Sequence, residues 1–299
     1  MGCSRSAFAR HSLSVVGDVT AKGTTASAAG PTLERLAKGH RPPLRQWRRS
    51  YLRGRGRLVE QALKSKELIA ALKAGERLPP GYGYGFDERS IEYPWLLAAE
   101  PSGRALDAGS ILNHSYVLPH FVPILDPLTI FTLAPEPESF PEMGVSYVYG
   151  DMRELPFADN WFDTTISFST LEHIGMDNVH YGGSKDVLPD PQAEMRVALN
   201  ELRRVTKPGG RIMITVPFGR STDMGWSRQL GHAEVKDMIE TLEPIESTLE
   251  VYAYDRDGWN ASDPQAAGEA EYHDFTKEAR WPADKAAAAR AVACLDLRI

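Results

Sequence analysis

Two rhythms of apolar residues alternate along this chain of 299 residues. Short continuous runs at 128–133, 145–149, 164–168 and 211–216 read as buried strands, and later runs near 247–254 and 291–297 read the same way. Ahead of them lies Arg104-Ala105-Leu106-Asp107-Ala108-Gly109, a short run that ends in an acid and a glycine. Between 190 and 205 the spacing changes. Met195, Leu199, Leu202 and Val205 form a helical stripe behind Asp190 as N-cap and Pro191 in the first turn, and Pro208-Gly209-Gly210 stops it. A second stripe, Leu58, Ala62, Leu63, Ile69 and Leu72, predicts an amphipathic helix over 58–72 that ends near Pro79-Pro80. Strand runs that alternate with helices mark an α/β fold with a parallel sheet, and no repeat at solenoid or propeller periods competes with it.

Three stretches differ in character. Residues 1–40 form a leader whose first thirty positions, rich in Ser, Thr, Ala and Gly, predict disorder. Residues 41–91 form a basic helical extension that ends in the aromatic loop Gly81-Tyr82-Gly83-Tyr84-Gly85-Phe86, and 92–299 form the main α/β domain. Within that domain, 175–189 is too long for a minimal connection and predicts a cover over a site.

Composition narrows the function classes. With 42% hydrophobic residues the chain can bury a full core. It contains no apolar run near the roughly 18 residues of a membrane span and no secretory signal, so the expected location is the cytoplasm. Cys3 and Cys294 lie at opposite ends, without metal or disulfide spacing, so no metal site is expected. Met1-Gly2-Cys3-Ser4-Arg5-Ser6 matches the bare pattern for N-terminal acylation. Residues 1–60 hold twelve Lys/Arg against three Asp/Glu, which makes them +9 within a chain of net charge −6 and leaves −15 for the rest. An acidic body does not resemble a nucleic-acid groove. The stretch 41–57, where Trp47 and Tyr51 stand among arginines, keeps a contact with nucleic acid or an anionic surface open.

Ligands of an open parallel sheet bind beyond the carboxyl ends of its strands. The residues there form a set: Asp107 and Gly109 after the first run, Glu136 after the second with Glu138 as its rival, Asp151 and Met152 after the third, and Ser169-Thr170-Leu171-Glu172-His173 after the fourth. Such a set suits a nucleoside, because acids accept from ribose hydroxyls and from an adenine amine while apolar groups sandwich the base.

These residues carry a resemblance to the class I S-adenosylmethionine-dependent methyltransferases, in the branch acting on small molecules. It covers roughly 92–299 and rests on Ala105-Leu106-Asp107-Ala108-Gly109-Ser110, Gly150-Asp151-Met152-Arg153-Glu154-Leu155-Pro156-Phe157, Phe162-Asp163, Leu171-Glu172-His173 and Leu202-Arg203-Arg204-Val205-Thr206-Lys207-Pro208-Gly209-Gly210-Arg211. The resemblance implies a Rossmann-like, seven-stranded, mostly parallel sheet with helices on both faces. The last two runs would form an antiparallel hairpin at its edge. It further implies S-adenosylmethionine as cofactor, with Gly109 against the methionine portion, Asp107 near its amino group, Asp151 on the adenine amine and Glu136 on the ribose. Ser110, Met152 and Ser169 complete the cofactor-binding set. The family pattern Asp-x-Gly-x-Gly-x-Gly is broken, with Ile111 and Asn113 where glycines are usual. A branched Ile111 disfavours a positive φ and narrows the approach to the backbone.

The expected reaction is methyl transfer to a small polar acceptor, through a hydroxyl or carboxylate. A nucleobase amine is disfavoured, because Ser167-Phe168-Ser169-Thr170 stands where amine-modifying relatives carry Asn/Asp-Pro-Pro-aromatic. His173 is the candidate base, ahead of His180 and His232. Nicotinamide chemistry would need Gly-x-Gly-x-x-Gly after the first strand, and the chain lacks it. Two other readings are a non-catalytic methyltransferase-like binding module, for which Ile111 and Asn113 speak, and an RNA-directed enzyme that uses the basic leader. Oligomeric state leaves no trace in the sequence.

Overall fold

A computed structural model describes residues 30–38, 47–278 and 280–299. The acylation pattern, the leader up to residue 29 and the basic stretch 39–46 lie outside the described residues. The runs after each turn become β1 (Ala105–Ala108), β2 (Leu128–Thr132), β3 (Ser146–Tyr149), β4 (Phe162–Phe168) and β5 (Thr206–Pro217), mutually parallel in the spatial order β3-β2-β1-β4-β5. A small ribbon, β6 (Thr222–Asp223) with β7 (Arg228–Gln229), stands apart. β8 (Glu246–Asp255), β9 (Gly258–Ser262) and β10 (Ala291–Arg298) complete the sheet as β5-β10-β8-β9, all antiparallel.

The sheet therefore has eight strands where seven were expected, and the hairpin at its edge is β8 with β9, while β10 lies inside. The eighth strand escapes a reading of local pattern because its partners are distant. Trp259 donates its backbone N–H to Tyr82 (2.8 Å) and its indole N–H to Phe86 (3.0 Å), and Asn260 makes a reciprocal pair with the backbone of Leu78 (2.8 and 3.1 Å). The aromatic loop thus covers an edge that would otherwise expose unpaired amides.

Side chains alternate across a strand, and the two faces bury two cores. One holds Ala105, Ile130, Ile166, Met213, Val292 and Cys294 beneath the helices α1 (Leu33–Lys38), α2 (Arg49–Lys64), α3 (Lys66–Lys73) and α4 (Arg89–Ala98). The other holds Leu106, Ala108, Ile212, Ile214, Ala293 and Leu295 beneath Met195, Leu199, Leu202 and Val205 of the helix Pro191–Val205, whose N-cap Asp190 accepts from the amide of Ala193. Helices cover both faces, and residues 47–98 supply most of one layer, with Val117, Leu118 and Phe121 packed beside them. The helix expected over 58–72 is two helices, because Ser65 leaves the helical conformation and caps the second by accepting from Leu68 N–H. Tyr51 is fully buried, its hydroxyl accepting from Asp87 N–H, so its ring is not free to stack on bases, while the half-buried Trp47 donates its indole N–H to the Ala287 carbonyl.

Candidate functional site

The turn after β1 shapes the site. Asp107 points toward the α4 layer, is fully buried, and accepts from the amides of Ile111 (3.2 Å) and Leu112 (2.7 Å). Burial pushes its carboxyl up to about 7 against the pull of those two bonds. Positive φ falls on Gly109 (131°) and Ser110 (65°), not on Ile111. The side chain of Ile111 joins the core and its carbonyl accepts from the Tyr93 hydroxyl, so the bulk that breaks the glycine pattern packs inward. Asn113 is buried and donates to Glu136 (2.8 Å) and to the Glu138 carbonyl (3.0 Å) while accepting from Tyr147 (2.9 Å), which ties the turn to the segment after β2.

Two cavities open at the carboxyl ends of the strands. The first, about 370 Å³, is walled by Gly109, Phe131, Asp151, Met152 and Thr170 and covered by residues between Gly175 and Leu188, so the long 175–189 segment lies over it. The second, about 310 Å³, has Ser110, Ile111, Glu136 and Ser169 on one side and the N-terminal layer on the other. Gly109, His173 and Tyr181 belong to both. Asp107 lines neither, and its carboxylate is engaged within the turn. Asp151 is held by Arg153, which donates to both its oxygens and keeps it ionised below the usual carboxylate range; Arg153 also pairs with Glu194. Ser169 donates to the buried carboxylate of Glu92 (2.6 Å). His180 and His232 are exposed and line neither cavity.

His173 sits where the cavities meet. Its Nδ1 lies 2.8 Å from the Trp226 carbonyl, which only accepts, so the ring proton is on Nδ1 and Nε2 carries the lone pair. Tyr181 OH approaches Nε2 at 3.4 Å. Burial depresses the imidazole to about 4 despite the bond to Trp226, which leaves it neutral at physiological pH. Beside it, Glu172 is buried and held well above the carboxyl range by desolvation, and burial with the neighbouring Asp87 charge holds Glu88 up at about 8. Arg55 pairs with Asp87 (2.8 Å) and Arg89 with Glu92.

Reasoning from strand ends did not reach Arg55, Asp87, Glu88, Arg89, Trp226, Tyr272 or Phe275, all of which line the second cavity. The one local signal was Asp87-Glu88-Arg89, a charged triplet closing the aromatic loop directly before a helix. Among the described residues no cluster of His, Cys, Asp and Glu is placed to hold a metal ion, and no helix is long and apolar enough to cross a membrane.

Residues 132–214 match the family model described as a methyltransferase domain. The chain is 42% identical over 71 residues to demethylmenaquinone methyltransferase of Corynebacterium glutamicum, covering 23% of each chain. It is 38% identical over 96 residues to the protein of the same name from Thermobifida fusca, covering 29% of this chain and 32% of the other. It thus spans about a quarter to a third of these two relatives. Among solved structures, 1,6-didemethyltoxoflavin-N1-methyltransferase of Burkholderia thailandensis is similar at 16% identity and a TM-score of 0.42, covering 83% of this chain and 84% of the other. A putative methyltransferase of Bacillus halodurans is similar at 14% and 0.42, covering 69% and 98%. At those values the structural likeness carries nothing about activity. The family match runs from the end of β2 into β5 and takes in much of the wall of the first cavity.

Proposed function

We propose that this protein transfers a methyl group from S-adenosylmethionine to a small polar acceptor. The observation that carries the reading is the meeting of two cavities at Gly109, His173 and Tyr181. One cavity has the dimensions and the mixed apolar and acidic walls of a nucleoside site, and the other is lined by charged groups. The residues present fit the cofactor. Gly109 lines both cavities while packing so closely on Thr170 that an added Cβ would lie 2.0 Å from its Oγ1, and Ser110 Oγ is buried beside it with no partner. Asp151, Met152 and Phe131 would hold the adenine end, Glu136 the ribose, and Ser110 and Ser169 the methionine portion. Asp107 acts on the cofactor through the shape of the turn.

The bound sulfonium supplies an already activated methyl group, so the protein has mainly to position the acceptor. His173 Nε2 accepts a proton from an acceptor hydroxyl. A base held near 4 suffices, because the hydroxyl becomes strongly acidic as its oxygen is alkylated. Tyr181 and the 175–189 cover exclude water from the junction. The charged lining of the second cavity does not suit the quinone ring named for the relatives, since burying charges against an apolar ring is costly.

Calorimetric titration with S-adenosylhomocysteine and S-adenosylmethionine tests the reading. Both bind saturably, and Asp151→Asn weakens them about tenfold to a hundredfold by removing a charged acceptor. Absence of any heat of binding at millimolar concentration favours a non-catalytic binding module instead.

A further inference from the structure

The second cavity is walled by two kinds of group that one class of ligand satisfies together. Along one side runs a continuous aromatic surface. Trp47 packs on Phe275 at 4.6 Å between ring centroids, Phe275 on Trp226 at 5.6 Å, and Trp226 on His173 at 5.5 Å. Against it stand carboxyl oxygens without donors: Asp87 Oδ1, Glu88 Oε2 and Glu172 Oε2 are each buried with no hydrogen-bond partner, and so is the indole N–H of Trp226. A buried polar atom left unpaired costs about 1–3 kcal/mol, so these four, with Arg55 Nε and Ser110 Oγ on the same cavity, call for a partner that brings both polar hydrogens and lone pairs.

We propose that the second cavity receives a neutral ring bearing several hydroxyl groups, of the monosaccharide or cyclitol kind, and that one of these hydroxyls is the methyl acceptor. The proposal rests on the methyl-transfer reading above and narrows its acceptor. A hydroxyl both donates and accepts, so it serves Glu88 and Glu172 in either protonation state and the Trp226 N–H as well. The C–H face of such a ring is apolar and lies against aromatic surface, as in polar-rimmed small-molecule sites. A carboxylate or phosphate acceptor is disfavoured by the charges. The cavity's two guanidinium groups, Arg55 and Arg89, already pair with Asp87 and Glu92, so an entering anion would find no uncompensated cation and would face the Asp87 carboxylate. An apolar acceptor would leave every orphaned oxygen unpaired.

In the transfer, a carbon–oxygen bond forms between the acceptor hydroxyl and the methyl carbon while the carbon–sulfur bond breaks. The sulfur keeps the bonding pair and becomes a neutral thioether, and the hydroxyl proton passes to His173 Nε2 and from there to water. The product is a methyl ether, which withstands mild alkali where a methyl ester does not.

The test uses the full chain saturated with S-adenosylhomocysteine. It is titrated with methyl α-D-glucopyranoside, methyl α-D-mannopyranoside and myo-inositol, with sodium glucuronate as the anionic counterpart, and followed by tryptophan fluorescence and calorimetry. The expected result is saturable binding of at least one neutral polyol, with glucuronate at least tenfold weaker. Label transferred from S-adenosylmethionine to the bound polyol should be stable to alkali. Glu88→Ala should weaken polyol binding at least tenfold with S-adenosylhomocysteine affinity kept, and Glu88→Gln, which retains an acceptor oxygen, should restore most of it. Failure of S-adenosylhomocysteine to bind removes the methyl-transfer reading and this one with it. Normal cofactor binding with no response to any of the three polyols up to about 100 mM, or tighter binding of glucuronate, overturns this proposal alone.

Discussion

Replacing Asp107 with Asn separates two roles that a carboxylate after the first strand can play. The structure gives its oxygens to the amides of Ile111 and Leu112, inside a turn with no solvent exposure. Asparagine keeps one acceptor and turns the other into an NH2 group that faces a backbone N–H. One hydrogen bond is lost and two buried donors, the backbone N–H and the NH2 that faces it, are left unpaired, each costing about 1–3 kcal/mol of stability. Because the turn also sets the conformation of Gly109 and Ser110, affinity for S-adenosylhomocysteine falls as a secondary effect, by less than about tenfold. Urea unfolding monitored by circular dichroism gives the first quantity and calorimetric titration of the same preparation gives the second. The opposite pattern, wild-type stability with affinity reduced by more than tenfold, would show that Asp107 touches the cofactor directly and that its bonds within the turn are incidental.

Three further outcomes follow from the same geometry. Gly109→Ala places a methyl group 2.0 Å from Thr170 Oγ1 at a φ of 131°, so both the melting temperature and S-adenosylhomocysteine affinity should drop, the latter at least tenfold; an unchanged affinity would separate Gly109 from the cofactor path. Limited proteolysis should cut within 175–189 in the free protein and more slowly with S-adenosylhomocysteine present, and equal rates would remove this segment's role as a cover. Stability of the free protein should fall as pH rises from 6.5 to about 9. Glu88 and Asp107 titrate at about 8 and 7 when folded, against ordinary values of 4.5 and 3.8, so the stability from their protonation is complete below the ordinary values and lost as pH rises through the folded ones. His114 and His173, held at about 4 against an ordinary 6.5, act in the opposite sense, their contribution being present above 6.5 and lost as pH falls through 4. Above 6.5 these acids, with Glu172 held higher still by burial, carry the change in the same direction, each contributing at most about 1.4 kcal/mol per pH unit. A flat melting temperature over that range, or a slope that Glu88→Gln leaves unaltered, would contradict this assignment.

The parts legible in the chain were those whose cause is local. Apolar runs announced β1, β2, β4 and β5, because a strand covered on both faces needs a continuous apolar stretch, whereas the partly exposed edge strand β3 showed through Tyr147, Val148 and Tyr149, and the stripe Met195–Leu199–Leu202–Val205 announced its helix because one face of it must be buried. The residues after each strand end followed from topology, and Gly109, Asp151, Met152 and His173 do line the first cavity. Neighbours distant in sequence settled the rest. β9 is a strand because Leu78, Tyr82 and Phe86 reach it across the fold. Ile111 is harmless to the turn because positive φ is taken by Gly109 and Ser110, and Asp107 is spent on backbone amides, neither of which a motif shows. The second cavity draws Trp47, Arg55 and Glu88 from the N-terminal layer and Trp226, Tyr272 and Phe275 from beyond β5. No spacing encodes that assembly, because a site built from segments more than two hundred residues apart exists only once the sheet has brought its two coverings face to face.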